Sequence, residues 1–518
     1  MKSLKALYER LYGPAFLSGF LLVLSFPTVN FFPLAWIALI PLLLFLRDKD
    51  QWTAFTGGFY FGFVYFLGTL YWIYHSLYYY GAIPLVPSIL LIVVLCMYFS
   101  LYPAFFALLY AANIKRTDMP SLIVAPMIWT ALEFLRSYAL SGFPWSSLGY
   151  SQYAFLPLIQ IADITGVYGV SFLIVSVNGA LVDVLLLKQR YKERPLASYL
   201  PTTGGFAVLI FFLIFTLGYG IYRLQQERPG SSIKVAVVQG NIEQDKKWDP
   251  EYQKSVISIY KDLSFAAARE TPDVIVWPET SAPFFFGADK EHTAEMVSFE
   301  RQFNSYLLFG SVTVKNRTAR APLSRPRYAN SAILLDKNGN ITYFYDKIHL
   351  VPFGEFIPLR PLLSFVDLTG AIGDFVPGED YTKAVTPFGS FGTLVCYEIT
   401  FPGLVRKFFT NGGDFIVTIT NDAWFGRTPG PYQHFSMAVF RAIENRKPVI
   451  RAANTGISGF IDSSGRILGA TGLFTRTYLV SSVKTDRTLS SYTKYGDIFS
   501  YLSIVGTLLM MIRKRNRY

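Results

Sequence analysis

Three short stretches carry residues whose types could do acyl chemistry. Phe391-Gly392-Thr393-Leu394-Val395-Cys396-Tyr397-Glu398 climbs through apolar and β-branched residues to a single cysteine. Val274-Ile275-Val276-Trp277-Pro278 runs directly into Glu279. Tyr345-Asp346-Lys347-Ile348-His349-Leu350-Val351-Pro352-Phe353-Gly354-Glu355 places a lysine just past another strand-like run. A thiol becomes a nucleophile when a carboxylate takes its proton. A nearby ammonium favours the thiolate and steadies an oxyanion. Cys396 as nucleophile, Glu279 as base and Lys347 as electrophilic stabiliser would suffice for acyl transfer. Taken singly, each residue has a blander reading: a cysteine on a buried strand is usually packing, and one Glu or Lys is usually a solvated charge. What joins them is position, because strand ends on one edge of a sheet converge in space.

The elements that must hold them lie between residues 232 and 485. Ile233 to Gln239, Asp273 to Trp277, Tyr306 to Val314, Ser331 to Asp336, Ile341 to Tyr345, Asp414 to Thr420, Val449 to Ala453 and Ser458 to Asp462 read as strands. Glu251 to Arg269, Leu404 to Phe409 and Gln433 to Asn445 read as helices. Strands alternating with helices predict an α/β domain.

The rest of the chain is of another kind. Of 518 residues, 52% are hydrophobic and 17% aromatic, which points to a membrane protein. Apolar spans are read at 11–28, 31–46, 54–76, 84–112, 121–140, 162–187 and 203–222, with an eighth at 494–512. The expected organisation is therefore 1–225 as a membrane domain of seven transmembrane helices, 232–485 as the α/β domain, and 494–512 as a C-terminal transmembrane helix. The net charge of +12 could suggest nucleic acid, but the basic residues cluster beside apolar runs and no nucleic-acid motif accompanies them. Lys2, Lys5 and Arg10, then Arg47 and Lys49, Lys115 and Arg116, Lys188, Arg190, Lys192 and Arg194, and Arg513, Lys514, Arg515 and Arg517 occupy alternate loops and the termini. The intervening loops near Asn30 and from Tyr78 to Pro87 carry no Lys or Arg. The positive-inside rule then places both termini in the cytoplasm and residues from about 225 to 490 outside it. The two cysteines, Cys96 and Cys396, fall in different segments, so neither a disulfide nor a metal cluster is expected.

Trp-Pro-Glu at 277–279, Lys-x-x-Leu-Val-Pro-Phe-Gly-Glu at 347–355 and Val-Cys-Tyr-Glu at 395–398 resemble the three signature stretches of the nitrilase (carbon–nitrogen hydrolase) superfamily. Further stretches resemble its membrane-bound branch, the apolipoprotein N-acyltransferases. These are Gln239-Gly240-Asn241-Ile242 with Trp248-Asp249-Pro250, Asn421-Asp422-Ala423-Trp424-Phe425-Gly426, Gln433-His434, Arg451-Ala452-Ala453-Asn454-Thr455-Gly456 and Gly142-Phe143-Pro144-Trp145.

The resemblance implies an α-β-β-α sandwich outside the bacterial inner membrane, with a Glu279–Lys347–Cys396 triad. It implies ping-pong transfer of an acyl chain from a phospholipid, typically phosphatidylethanolamine, through a Cys396 thioester to the α-amine of diacylglyceryl-cysteine on apolipoproteins. No cofactor or metal is implied, and a monomer is expected. Glu355 and Glu398 resemble the additional family carboxylates, and Tyr397, Trp248 and Asn421 are expected to support the site. A thioester needs shielding from water, so Phe284, Phe285 and Phe286 are expected in a loop that covers the acyl chain or dips toward the bilayer. Trp424, Phe425, Trp145 and Arg136 are further candidates for lipid contact. Arg136 could instead pair with Glu133, and the sequence does not choose. His349 and His434 could suggest a Cys–His dyad, but the motif set makes the base a carboxylate. Two competing readings are a membrane-tethered amidase using water in place of the amine, and a transporter or scaffold with a degenerate domain.

Overall fold

The computed structural model describes residues 2–81, 83–117, 119–190, 200–227, 230–315, 327–356 and 375–512. The basic residues Lys192, Arg194, Arg513, Lys514, Arg515 and Arg517 lie outside these. The chain divides into two compact units. One comprises residues 1–74, 85–226 and 495–518, and the other 75–84 and 227–494.

The first unit is helical. Three described helices are long and apolar enough to cross a membrane: Leu85–Thr117, Val167–Leu186 and Thr203–Gln225. Shorter apolar helices cover Tyr12–Ser25, Phe32–Leu46, Leu156–Thr165 and Ile498–Ile512. The spans expected at 31–46 and 162–187 are interrupted. The first passes from a 3₁₀ turn, Phe32–Trp36, into a helix starting at Ile40. The second breaks at Gly166, whose φ of 66° leaves the helical region. Close helix packing depends on small residues. A Cβ on Gly58 would stand 2.4 Å from the Pro103 carbonyl oxygen, so the helix Gln51–Leu70 meets Leu85–Thr117 backbone to backbone.

In this unit Arg136 is buried and donates to the carbonyl oxygens of Trp145 at 2.5 Å and Phe143 at 3.2 Å, and to Ser147 Oγ at 3.3 Å. Glu133 Oε1 accepts from Leu148 N at 2.7 Å. The two charged side chains thus pin the Gly142–Leu148 segment. Trp145 is buried against Trp72 and Phe143. Expectations of lipid contact at Arg136 and Trp145 give way to packing within the unit, because both are enclosed by their own chain.

The second unit is built on two sheets. One has strand order β13-β1-β2-β4-β5-β6 with β3 against β4, where β1 is Ser232–Gln239, β2 Val274–Val276, β3 Ala282–Phe285, β4 Tyr306–Lys315, β5 Arg327–Leu335, β6 Ile341–Asp346 and β13 Thr477–Lys484. The other has order β12-β11-β10-β9-β8-β7, with β7 Ala384–Thr386, β8 Gly389–Val395, β9 Phe415–Thr420, β10 Val449–Ala453, β11 Gly459–Ile461 and β12 Ile467–Ala470. β1, β2 and β4 run parallel, as do β8, β9 and β10. Their C-terminal ends therefore lie on common edges.

The sheets meet through β1 with β10 and β5 with β8. Helices Pro250–Ala268 and Lys290–Glu300 cover the first sheet, where Trp277 packs on Tyr260 and Phe299 and donates to Ser264 Oγ at 2.7 Å. Helices Pro402–Phe409 and Gly430–Asn445 cover the second. Helix, sheet, sheet and helix follow one another as four layers. Asn454 stitches the inner faces: its amide donates to the Ile242 carbonyl at 2.8 Å and its Oδ1 accepts from Ile242 N at 2.8 Å.

The Phe284–Phe286 run is a correction. The sequence suggests a covering loop, whereas Pro283 to Phe285 lie in β3, and Phe284 and Phe286 belong to the hydrophobic core. Pairing with β4 turns these two rings inward. Phe285 alone is half-buried, stacked on Tyr328 with Trp248 alongside.

Candidate active site

Cys396 stands where β8 ends and a 3₁₀ turn, Cys396–Thr400, begins. Its φ is 53°, in the left-handed region. For a non-glycine residue this costs roughly 1–3 kcal/mol and persists only when surrounding contacts enforce it. Glu398 supplies one such contact. Its Oε2 accepts from Val395 N at 2.7 Å, on the strand that carries the cysteine. Its Oε1 accepts from Tyr345 Oη at 2.8 Å, Ile348 N at 2.7 Å and His349 N at 3.0 Å. One buried carboxyl thus ties the turn after Lys347 in one sheet to the end of β8 in the other. Burial raises its pKa to about 7 against these donors.

Lys347 is buried, and its Nζ lies 2.9 Å from Glu355 and 3.7 Å from Glu279 Oε1. Burial alone would lower its pKa, but the Glu355 and Glu279 carboxylates outweigh that and hold it above the ordinary lysine value. Lys347 is therefore a fixed cation. Asn330 Nδ2 bridges Glu279 Oε1 at 2.8 Å and Glu355 Oε1 at 2.9 Å. Glu279 Oε2 accepts from Asn421 N at 2.9 Å, at the end of β9. Both Glu279 oxygens thus face donors, which fixes the carboxylate without occupying all its lone pairs.

Cys396 is within electrostatic reach of Glu279, Lys347 and Asp422. Burial, then the Glu279 charge, push its thiol well above the ordinary value of 9.0, with Lys347 pulling the other way. The resting side chain is accordingly a neutral thiol, and a thiolate there needs a base to take the proton. The arrangement can open an ester or amide: a thiol, a carboxylate beside it and a buried ammonium for the developing oxyanion.

Comparison with known proteins gives the family. Residues 18–180 match the model of the apolipoprotein N-acyltransferase N-terminal domain, and residues 234–492 match that of carbon–nitrogen hydrolase. An apolipoprotein N-acyltransferase of Geobacter metallireducens is 43% identical over 512 residues, covering 98% of this chain and 96% of that one. Another, from Pasteurella multocida, is 34% identical over 97% of this chain and 96% of its own. The chain belongs to the apolipoprotein N-acyltransferase family. Its second unit is the nitrilase-like α/β domain of an acyltransferase.

In this member of the apolipoprotein N-acyltransferases, the other candidates divide. Tyr397 is buried edge-on to Phe401, directly after Cys396. Asn421 lends its backbone to Glu279, and its side chain joins Gln244 Oε1 at 2.6 Å and Asn454 at 3.0 Å. Trp248 is half-buried on the loop between β1 and Pro250. Trp424 is 36% exposed and meets Tyr80 edge-on, while its carbonyl accepts from Ser76 Oγ at 2.7 Å. Phe425 lies edge-on to His434. His349 sits over Phe401.

One residue escapes sequence reasoning. Lys247 is fully buried, and its Nζ donates to the Glu279 carbonyl at 2.8 Å. A lysine in a polar stretch next to Lys246 reads as a solvated charge. Burial lowers its pKa to about 8, while Glu279 and Cys396 pull it back up. Its charge helps offset Glu279 and Glu355, for which Lys347 alone is one cation short. As pH rises through about 8 that charge leaves, and acylation of Cys396 is expected to fall with it. Lys247→Arg is expected to push this alkaline limb upward. A pH profile of single-turnover acylation measures both; an alkaline limb left in place by Lys247→Arg would remove Lys247 from the electrostatic account.

Proposed function

We propose that this protein transfers an acyl chain from a phospholipid, through a thioester on Cys396, to the α-amine of diacylglyceryl-cysteine on apolipoproteins. The observation that carries this reading is the convergence of Glu279, Lys347 and Glu355 with Cys396 inside a chain that also holds long apolar helices.

In the first half-reaction Glu279 takes the Cys396 proton as sulfur attacks the sn-1 ester carbonyl. The C–S bond forms, and the carbonyl oxygen becomes an oxyanion beside Lys347. Collapse breaks the ester C–O bond, and Glu279 returns the proton to the departing lysophospholipid oxygen. In the second half-reaction the neutral amine attacks the thioester. Glu279 takes a proton from nitrogen, the C–S bond breaks, and the proton passes to the leaving sulfur. Charge and atoms balance with no metal or nucleotide. Glu355 keeps Lys347 oriented, and Glu398 holds the Lys347 turn against the nucleophile strand.

The same proposal places the protein in the inner membrane with eight spans, both termini in the cytoplasm and the α/β domain in the periplasm. The alternating Lys and Arg content of the loops supports it. Phosphatidylethanolamine, an abundant anchored ester, is the proposed donor.

Intact-protein mass spectrometry tests the proposal. Full-length protein in detergent, incubated with phosphatidylethanolamine alone, is expected to gain one acyl mass that hydroxylamine removes. Adding a diacylglyceryl-cysteine peptide should discharge it onto the amine. A folded protein that gains no acyl mass from any phospholipid, yet releases ammonia from soluble amides, would replace this reading with the amidase one.

A further inference from the structure

The buried side chains Asp422, His434 and Arg451 form a cluster that the acyl-transfer chemistry above does not use. Each is fully enclosed. Asp422 Oδ2 accepts from Arg451 Nη2 at 2.8 Å, and Asp422 Oδ1 accepts from the Thr420 hydroxyl at 2.9 Å. His434 Nδ1 lies 2.9 Å from Asp422 Oδ1 and 3.0 Å from Arg451 Nη2. Three segments thus meet at one imidazole, the turn after β9, β10 and the helix Gly430–Asn445 that carries it, and the turn after Asn454 closes on Asp422. At that turn, Gly456 leaves so little room that a Cβ there would stand 2.3 Å from Asp422 Oδ2. The other edge of the ring is aimed elsewhere. His434 Nε2 lies 3.2 Å from the backbone carbonyl oxygen of Cys396.

A carbonyl oxygen only accepts, so Nε2 carries the proton. In the neutral ring Nδ1 is then the acceptor, facing Arg451 Nη2 at 3.0 Å; a second proton at Nδ1 would make the ring a cation, which burial and the Arg451 charge disfavour. The imidazole therefore reaches the main chain of the nucleophile rather than its sulfur. That main chain needs holding: Cys396 has φ 53°, and Glu398 restrains only the residue before it.

We infer that His434 is a positioning residue for the nucleophile. It donates from Nε2 to the Cys396 carbonyl and so holds the left-handed turn that presents Sγ to the donor ester. Asp422 and Arg451 fix its ring. This explains why a histidine near the cysteine is not a general base: its contact with Cys396 is through the peptide. The inference rests on Cys396 being the acylated residue.

The test compares His434→Phe, His434→Ala and His434→Gln in the full-length protein in detergent. Phenylalanine keeps the ring volume and leaves the Asp422–Arg451 pair in place but cannot donate. Glutamine places an amide N–H near the position of Nε2. Thioester formation from phosphatidylethanolamine is followed by intact-mass time courses at several lipid concentrations, alongside thermal unfolding. A small misplacement of a reacting atom can cost about 100-fold. His434→Phe and His434→Ala are expected to slow maximal acylation about 30- to 100-fold, with the half-saturating lipid concentration within about 2-fold of wild type. His434→Gln is expected to recover to within about 5-fold. Acylation by the Phe and Ala variants within about 3-fold of wild type would overturn the inference. So would a folded Gln variant no faster than Phe, or loss of the folding transition in all three, which would make His434 structural. A wild-type protein that forms no thioester takes down the proposed function itself, and this inference with it.

Discussion

Replacing Cys396 with alanine is expected to abolish the acyl adduct, and Cys396→Ser to lower turnover by at least about 10³-fold. Loss of the proposed nucleophile removes the covalent step. In the proposed mechanism the Glu279 carboxylate takes a thiol proton, whereas a serine hydroxyl holds its proton far more tightly. The structure adds a signature that distinguishes catalysis from packing. Cys396 is buried with φ 53°, so alanine keeps the backbone strain while glycine releases it. Cys396→Gly should therefore unfold at the same temperature as Cys396→Ala or above it, by up to about 1 kcal/mol, although it removes more side chain. Intact mass and thermal unfolding read the two effects separately. An acyl adduct persisting in the alanine variant would place the nucleophile elsewhere.

Glu279→Gln is expected to cost 10²- to 10⁴-fold in acylation, roughly what a positioned general base supplies. It carries a second penalty visible in stability. Glu279 Oε1 accepts from Asn330 Nδ2 and Oε2 accepts from Asn421 N. A glutamine must turn its own N–H₂ toward one of these donors, leaving buried donors opposed at roughly 1–3 kcal/mol. Glu279→Gln should thus lower both the acylation rate and the unfolding temperature. Glu355→Gln should carry a similar stability cost but spare more of the acylation rate, because Glu355 accepts from Asn330 and Lys347 on one oxygen and Val351 N on the other and is proposed to touch no reacting atom. If Glu279→Gln acylates at the wild-type rate, the base is another group.

The strand-end residues were legible because their signals are local. Each follows a short β-branched run, and parallel strands deliver such ends to a common edge. Cys396, Glu279 and the Lys347–Glu355 stretch could be found this way. The Phe284–Phe286 run misled because three aromatic residues beyond a strand look like an exposed apolar loop. Whether they form β3 depends on pairing with β4, which begins some twenty residues later. Lys247 was invisible for a related reason: a lysine's burial is decided by what folds over it, not by its neighbours in sequence. Arg136 and Trp145 were noticed, but whether a membrane arginine faces lipid or backbone carbonyls is settled only by the turn that Gly142 and Pro144 allow. His434 stood out as a histidine. That it reaches a peptide carbonyl rather than a thiol depends on Asp422 and Arg451, which arrive from separate strands.

The edge strand β13 has a consequence for biogenesis. β1 pairs antiparallel with it over its whole length, from Ser232 opposite Lys484 to Gln239 opposite Thr477. A ribosome delivers β1 about 240 residues before its partner. Closing a loop of that length costs roughly 5 kcal/mol in chain entropy. Until the last strand arrives, one flank of β1 is an open row of peptide donors and acceptors, the kind of edge that recruits other chains. The nascent domain therefore passes through a stage, set by synthesis time, when it is most exposed to misassociation. Truncations that end before Thr477 should be cleared by proteases or held by chaperones, even though every catalytic side chain proposed above has already been made.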